Sequence, residues 1–207
     1  MKALNPRYRQ SPSGQIAVAL YRVTQAVQHL LRRRAEQEDL SAAQVQALIF
    51  LNTSRSSAHT VGGLAKGIAL AYPTTSAVVD ALERKELVER RPSESNRRTI
   101  NLRLTQRGKE KSATLEDLLD EIEQAVQSLP STEQQVLQRA LQAIVAHLNR
   151  AGYIHLHEMC WHCQFFRRNA HPNDPRGPHH CTFMDAPLAE EDTFFDCPDF
   201  QLPSERR

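Results

Sequence analysis

"AYPTTSAVVDALERKELVERRPSESNRRTINLRLT", residues 71–105, decides how the chain is read. Val78, Val79, Leu82 and Leu87 fall on helical spacing, and Pro73 suits a first turn, where its missing N–H is not needed. Thr74, Thr75 and Ser76 then stand near an exposed helix N-terminus. Beyond Leu87 the period changes. Val88 and later Ile100, Leu102 and Leu104 alternate with polar residues, as in two strands joined at the tip "RPSESNRR". A helix followed by a basic hairpin is half of a winged helix-turn-helix.

The flanking sequence supplies the other half. Residues 14–38 place Ile16, Leu20, Val23, Val27 and Leu30/Leu31 on one helical stripe. "SAAQ", Ser41–Gln44, reads as a capping box that opens a second helix. "NTSRSSAHT" breaks it, and a short helix is expected over 61–66, ended by Gly67. Downstream, one long helix is expected over 105–129 until Pro130 stops it. A second capping box, "STEQ" at Ser131–Gln134, opens a last helix that Gly152 closes. The fold class is therefore mainly α: a winged helix-turn-helix with a small β-hairpin wing, long flanking helices and a loop-rich cysteine tail. Three regions follow: a basic arm over 1–13, a body over 14–150 and a tail over 151–207.

Charge is divided in the same way. Residues 1–59 and 60–111 carry a net +5 each, while 112–150 and 151–207 carry −4 each. A basic first half suits a polyanionic partner. No run of 18 apolar residues exists and the N-terminus lacks the apolar stretch of a secretion signal, so a cytoplasmic protein without a membrane span is expected. Arg90, Arg91, Arg97 and Arg98 on one hairpin are candidates for phosphate or minor-groove contact. Thr74, Thr75 and Ser76 are candidates for holding a phosphate or base edge. The helix has few of the residues that read bases bidentately, so modest direct readout is expected.

"TVGGLAKGIAL", "VVDALERKELVER" and "RRPSESNRRTINLRLTQRG" resemble the MarR family of bacterial transcription regulators, and the likeness runs from about 14 to 150. The resemblance implies binding of double-stranded DNA, most often as a repressor. It implies a homodimer built from helices near 14–38, 105–129 and 131–150, and a small aromatic effector between the two regions. In one respect the chain departs from the family. The wing usually carries Asp-x-Arg, and here the frame is Asn96-Arg97-Arg98, whose neutral acceptor holds the arginine more weakly.

All four cysteines lie in the tail: Cys160, Cys163, Cys181 and Cys197. In a reducing compartment such a cluster reads as metal or redox chemistry before disulfides. The segment is too small and too rich in proline to build a core alone, and four thiolates on one centre supply folding free energy. The x2 spacing of Cys160 and Cys163 lets two sulfurs bind one centre from a tight turn. Zinc is the first reading and an iron–sulfur cluster the alternative, since "CQFF", "HHC" and "DCPDF" also resemble small cysteine modules of high-potential iron–sulfur type. Zinc would make the tail a brace; a cluster would make it a sensor. One of His155, His157, His162, His171, His179 and His180 replacing a thiolate is a further option. An electron-transfer protein is one rival class, but it would not need the winged helix; an enzyme is another, but a hydrolytic zinc needs an open position and a carboxylate. Glu158 is the sole local candidate, without a supporting motif.

Overall fold

The computed structural model describes residues 5–92, 99–154, 159–194, 197, 199–201 and 203. Helix α1 spans Pro12–Gln37, α2 Ala42–Thr53, α3 Val61–Gly67 and α4 Tyr72–Arg84. The wing strands β1 (Val88–Pro92) and β2 (Ile100–Leu104) pair antiparallel, Arg90 opposite Leu102. Then come α5 (Gln106–Ala113), α6 (Asp120–Gln127) and α7 (Ser131–Arg150). The order helix, helix, short helix, helix and hairpin matches the sequence reading.

Capping explains several boundaries. The Ser41 box forms in both directions: the Gln44 amide donates to Ser41 Oγ at 3.2 Å and the Ser41 amide to Gln44 Oε1 at 2.9 Å. Helices α1, α3 and α4 end alike. Asp39, Ala69 and Glu86 take positive φ, and the amides of Leu40, Leu70 and Leu87 donate back to Ala35, Ala65 and Leu82. Gly67 is therefore not the stop expected of it. It is the last residue of α3, where a Cβ would run into the Phe50 ring, and the turn falls at Ala69.

Two further expectations are corrected. The long helix over 105–129 is broken: after α5 a 3₁₀ turn spans Glu116–Leu119 before α6 begins. Ser112 and Thr114 bond carbonyls of their own helix, Gly108 and Lys111, which loosens the ladder. Arg34 then donates to the freed Thr114 carbonyl at 2.9 Å and to Asp117 Oδ1 at 2.5 Å. The "STEQ" box does not form. Ser131 is already helical, with Pro130 as cap, and Gln134 Nε2 donates to the Leu129 carbonyl at 2.8 Å.

The core joins α1, α2, α4 and the hairpin through Leu31, Val45, Leu48, Val79, Leu82 and Leu102. No described residue of α6 or α7 is buried. The tail is more regular than its composition implied. Strands β3 (Phe166–Arg167), β4 (His179–Cys181) and β5 (Ala186–Leu188) form a small antiparallel sheet in that order. Gly177 fits there because any Cβ would strike the Leu188 carbonyl.

Candidate nucleic-acid interface and cysteine cavity

The end of α4 that would face a polyanion has no side-chain cap. Ala71 stands at the N-cap and Pro73 lacks an N–H, so the first amides of the helix are left to a partner. Thr74 is exposed and Ser76 half-exposed, as a contact requires. Thr75 is a correction. It is fully buried, and its hydroxyl donates to the Ala71 carbonyl at 3.1 Å, so it fixes the first turn and touches no partner.

The wing arginines divide too. Arg91 points outward beside Glu89, whose Oε2 it meets at 2.8 Å; that contact holds the carboxyl of Glu89 below its usual range. Arg90 turns the other way. Its guanidinium bridges Asp80 Oδ1 at 2.7 Å and Glu83, tying the wing to α4. In this structure it is engaged by those two carboxylates, whereas the sequence offered it as a phosphate contact. Arg97, Arg98 and Asn96 lie outside the described residues.

The tail brings its four cysteines to one place. Cys160, Cys163, Cys181 and Cys197 all line a single cavity with Phe165, Phe166 and Leu188, and Arg55 closes one side. The Cys163 amide donates to the Cys160 carbonyl at 2.9 Å, forming the tight turn that the x2 spacing implied. Cys181 sits at the end of β4 opposite Phe166. The Phe200 amide closes a turn on the Cys197 carbonyl at 3.2 Å. Burial pushes the thiols of Cys160 and Cys197 up; Arg55 opposes this at Cys160, and the neighbouring sulfurs reinforce it.

The cavity measures about 10 Å³, counted as space open to the centre of a water-sized sphere, which is room for one water. Among the described residues, no three His, Cys, Asp or Glu side chains converge tightly enough to bind one ion. The four cysteines share this space as lining residues. The donor set fits a thiolate-bound centre. Arg55 Nε, beside this cavity, is buried with no partner among the described residues.

The histidines are otherwise engaged. His179 is buried, accepts from the Asn169 amide at Nδ1 (3.2 Å) and places Nε2 2.7 Å from Glu190 Oε2. With Trp161 and Phe166 it forms the aromatic centre of the tail. His171 and His180 meet ring to ring at 3.0 Å. None of these lines the cavity. His155, His157 and Glu158 lie outside the described residues.

Arg55 is the residue that sequence reading missed. It lies in the break after α2, and its Nη2 reaches Cys160 Sγ at 2.8 Å and the Asp192 carbonyl at 2.9 Å. A lone arginine in "NTSRSSAHT" carries no local mark of a partner 105 residues away.

With helix, wing and exposed α4 terminus in place, the chain can be compared with known proteins. Residues 40–100 match the MarR family. The matched span runs from α2 to the start of β2. No curated protein matches the chain. Among solved structures, the transcriptional regulator PA3341 is 26% identical, covering 65% of this chain and 98% of its own, with a TM-score of 0.57. Staphylococcus aureus MepR in complex with DNA is 24% identical over 64% of this chain and 97% of its own, at a TM-score of 0.55. CouR from Rhodococcus jostii RHA1, bound to p-coumaroyl-CoA, is 22% identical over 65% and 94%, at 0.53. These likenesses give the fold of the body, a winged helix-turn-helix with flanking helices. They leave about a third of the chain unmatched.

Proposed function

We propose that the chain is a MarR-type transcription regulator that binds double-stranded DNA as a homodimer, represses where its operator overlaps a promoter, and carries a four-cysteine metal centre in its tail. The observation that carries this reading is the uncapped, exposed N-terminus of α4, together with an outward arginine on the wing, in a segment matching the MarR family. Thr74, Ser76 and the free amides of α4 approach the groove, Arg91 with Arg97 and Arg98 takes phosphate or minor-groove contacts, and Arg90 holds the wing at its angle. MepR, of the same fold, has been seen with DNA.

The homodimer is supported by apolar side chains that one chain leaves in water. Ile16 and Val23 on α1 and Val136 and Leu137 on α7 are exposed, and the remainder of the α7 stripe, Leu141, Ile144 and Leu148, is only half covered. A twofold partner would cover these faces and set the spacing of two recognition helices. A small effector is the further partner, as CouR with its bound p-coumaroyl-CoA suggests. The cleft between the end of α3 and Gly152–Ile154, lined by Lys66, Leu70 and Tyr153, is the first place to test it.

Cys160, Cys163, Cys181 and Cys197 are the ligands of the tail centre, zinc or iron–sulfur. Its bound metal would supply the folding free energy that so small a module lacks. No reaction is assigned to it; the proposed activity is binding. Among the described residues no helix is long and apolar enough to cross a membrane. A gel-shift titration with genomic duplex fragments tests the reading: retarded bands at nanomolar to micromolar protein that fade with salt support it, and absence of retardation at low salt overturns it.

A further inference from the structure

We propose that the outward face of α4 reads thymine methyl groups, so that each operator half-site carries two thymines one or two base steps apart. This rests on the reading of the body as a DNA-binding unit and names the class of sequence it takes. Thr75, Val79 and Leu82 are the buried residues of α4. At about 100° per residue, that turns Pro73, Ala77 and Arg84 to the opposite side, and all three are exposed. Tyr72 and Thr74 are exposed beside them, Tyr72 to 60%. The first half of the helix that enters the groove therefore presents an aromatic ring, a proline ring and the methyl groups of Thr74 and Ala77.

In the major groove, the apolar group that marks a base is the C5 methyl of thymine. The polar groups of α4 leave that reading in place. Cytosine is read by a carboxylate that accepts from its N4 amine. The carboxylates of α4 are Asp80 and Glu83, and Arg90 engages both, Asp80 Oδ1 at 2.7 Å. Adenine is read by Asn or Gln, and α4 contains neither. Arg84 is its one arginine and stands at the last residue, nearly two turns beyond Ala77, away from the end that meets the bases first. The Thr74 hydroxyl can serve as donor or acceptor, so its methyl discriminates better than its oxygen.

The spacing sets the pattern that is read. Residues three and four apart on a helix stand about 5–6 Å from each other, and stacked base pairs about 3.4 Å. Thr74 or Pro73, with Ala77, thus meets two methyls one or two steps apart. Ala77 ends at its Cβ, which lets this turn of α4 approach the bases closely. Covering one thymine methyl is worth a factor of about four in affinity.

The test uses the full chain and a duplex that it selects from a random library. Each thymine of one half-site is replaced singly by deoxyuridine, which removes the C5 methyl and keeps the pairing edge. The expected result is a loss of about fourfold at each of two thymines, one or two steps apart, with little change at the others. Two variants then assign the contacts. Ala77→Gly should abolish the deoxyuridine penalty at one of these thymines. Thr74→Ser, which drops the methyl and keeps the hydroxyl, should abolish or reduce it at the other. Each comparison sets two duplexes against one protein, so a change in the stability of the variant cancels. Selected half-sites without thymine, or equal affinity for thymine and deoxyuridine at every position, overturn the methyl reading and leave the regulator standing. A penalty that persists unchanged in both variants places the contact off this face and overturns the proposal as well. Failure to retain any duplex at low salt removes the regulator reading, and this one with it.

Discussion

Arg90 and Arg91 are neighbours in sequence and opposites in use, because successive side chains on a strand point to opposite faces. Arg90 is turned onto Asp80 and Glu83, so Arg90→Ala should lower stability by about 1 kcal/mol, a modest figure because the pairs are partly exposed to screening water. It should also loosen the wing and weaken DNA binding. Arg91→Ala should leave the urea midpoint unchanged and reduce only affinity and its salt slope, the latter by about one. Equal losses of stability in both variants would contradict this division. Thr74 and Thr75 split likewise. Thr75→Val removes a buried hydroxyl bonded to Ala71 and should cost about 1 kcal/mol with DNA affinity of the folded protein intact. Thr74→Ala should do the reverse. Sequence located this cluster of hydroxyls but could not divide it, since the division depends on the rotation of α4, which turns Val79 and Leu82 into the core with Leu48 of α2.

At the scale of elements, the readable features were those whose cause is local. The Ser41 capping box, Pro73 in a first turn and the alternation of β2 each depend on residues within a few positions. At the break between α5 and α6 the Thr114 carbonyl is taken up by Arg34, 80 residues earlier, and no periodicity reports that contact. The cysteine tail shows the same limit: spacing pointed to cysteines that share one place, and they do line one cavity, whereas the Arg55 contact required the fold. Segment 54–60 also makes a pH prediction. Partial burial holds the imidazole of His59 below its ordinary value near 6.5. The unfolded chain then binds the proton more readily, so the contribution of neutral His59 is complete above about pH 6.5 and is lost as pH falls through the folded value. The wild-type urea midpoint should drop more between pH 7 and 5 than that of His59→Gln. A parallel drop in both would remove His59 as the cause.

For the whole molecule, the uncovered apolar stripe of α7 and the basic face of the wing require different partners. Val136→Arg with Leu137→Arg adds charge to a face already in water, so the monomer fold should survive while sedimentation shifts from dimer to monomer and DNA affinity falls. A dimer that persists in this variant would place the interface elsewhere. The charge division along the chain fits this arrangement, with the basic half holding the helix-turn-helix and the acidic half holding α6, α7 and the tail. The measurement that tests the central claim most directly is selection of duplexes from a random library by the full chain. The account predicts enrichment of an inverted repeat whose half-sites lie about one helical turn apart, 10–10.5 base pairs. No enriched sequence, or a lone half-site without its mate, would contradict it.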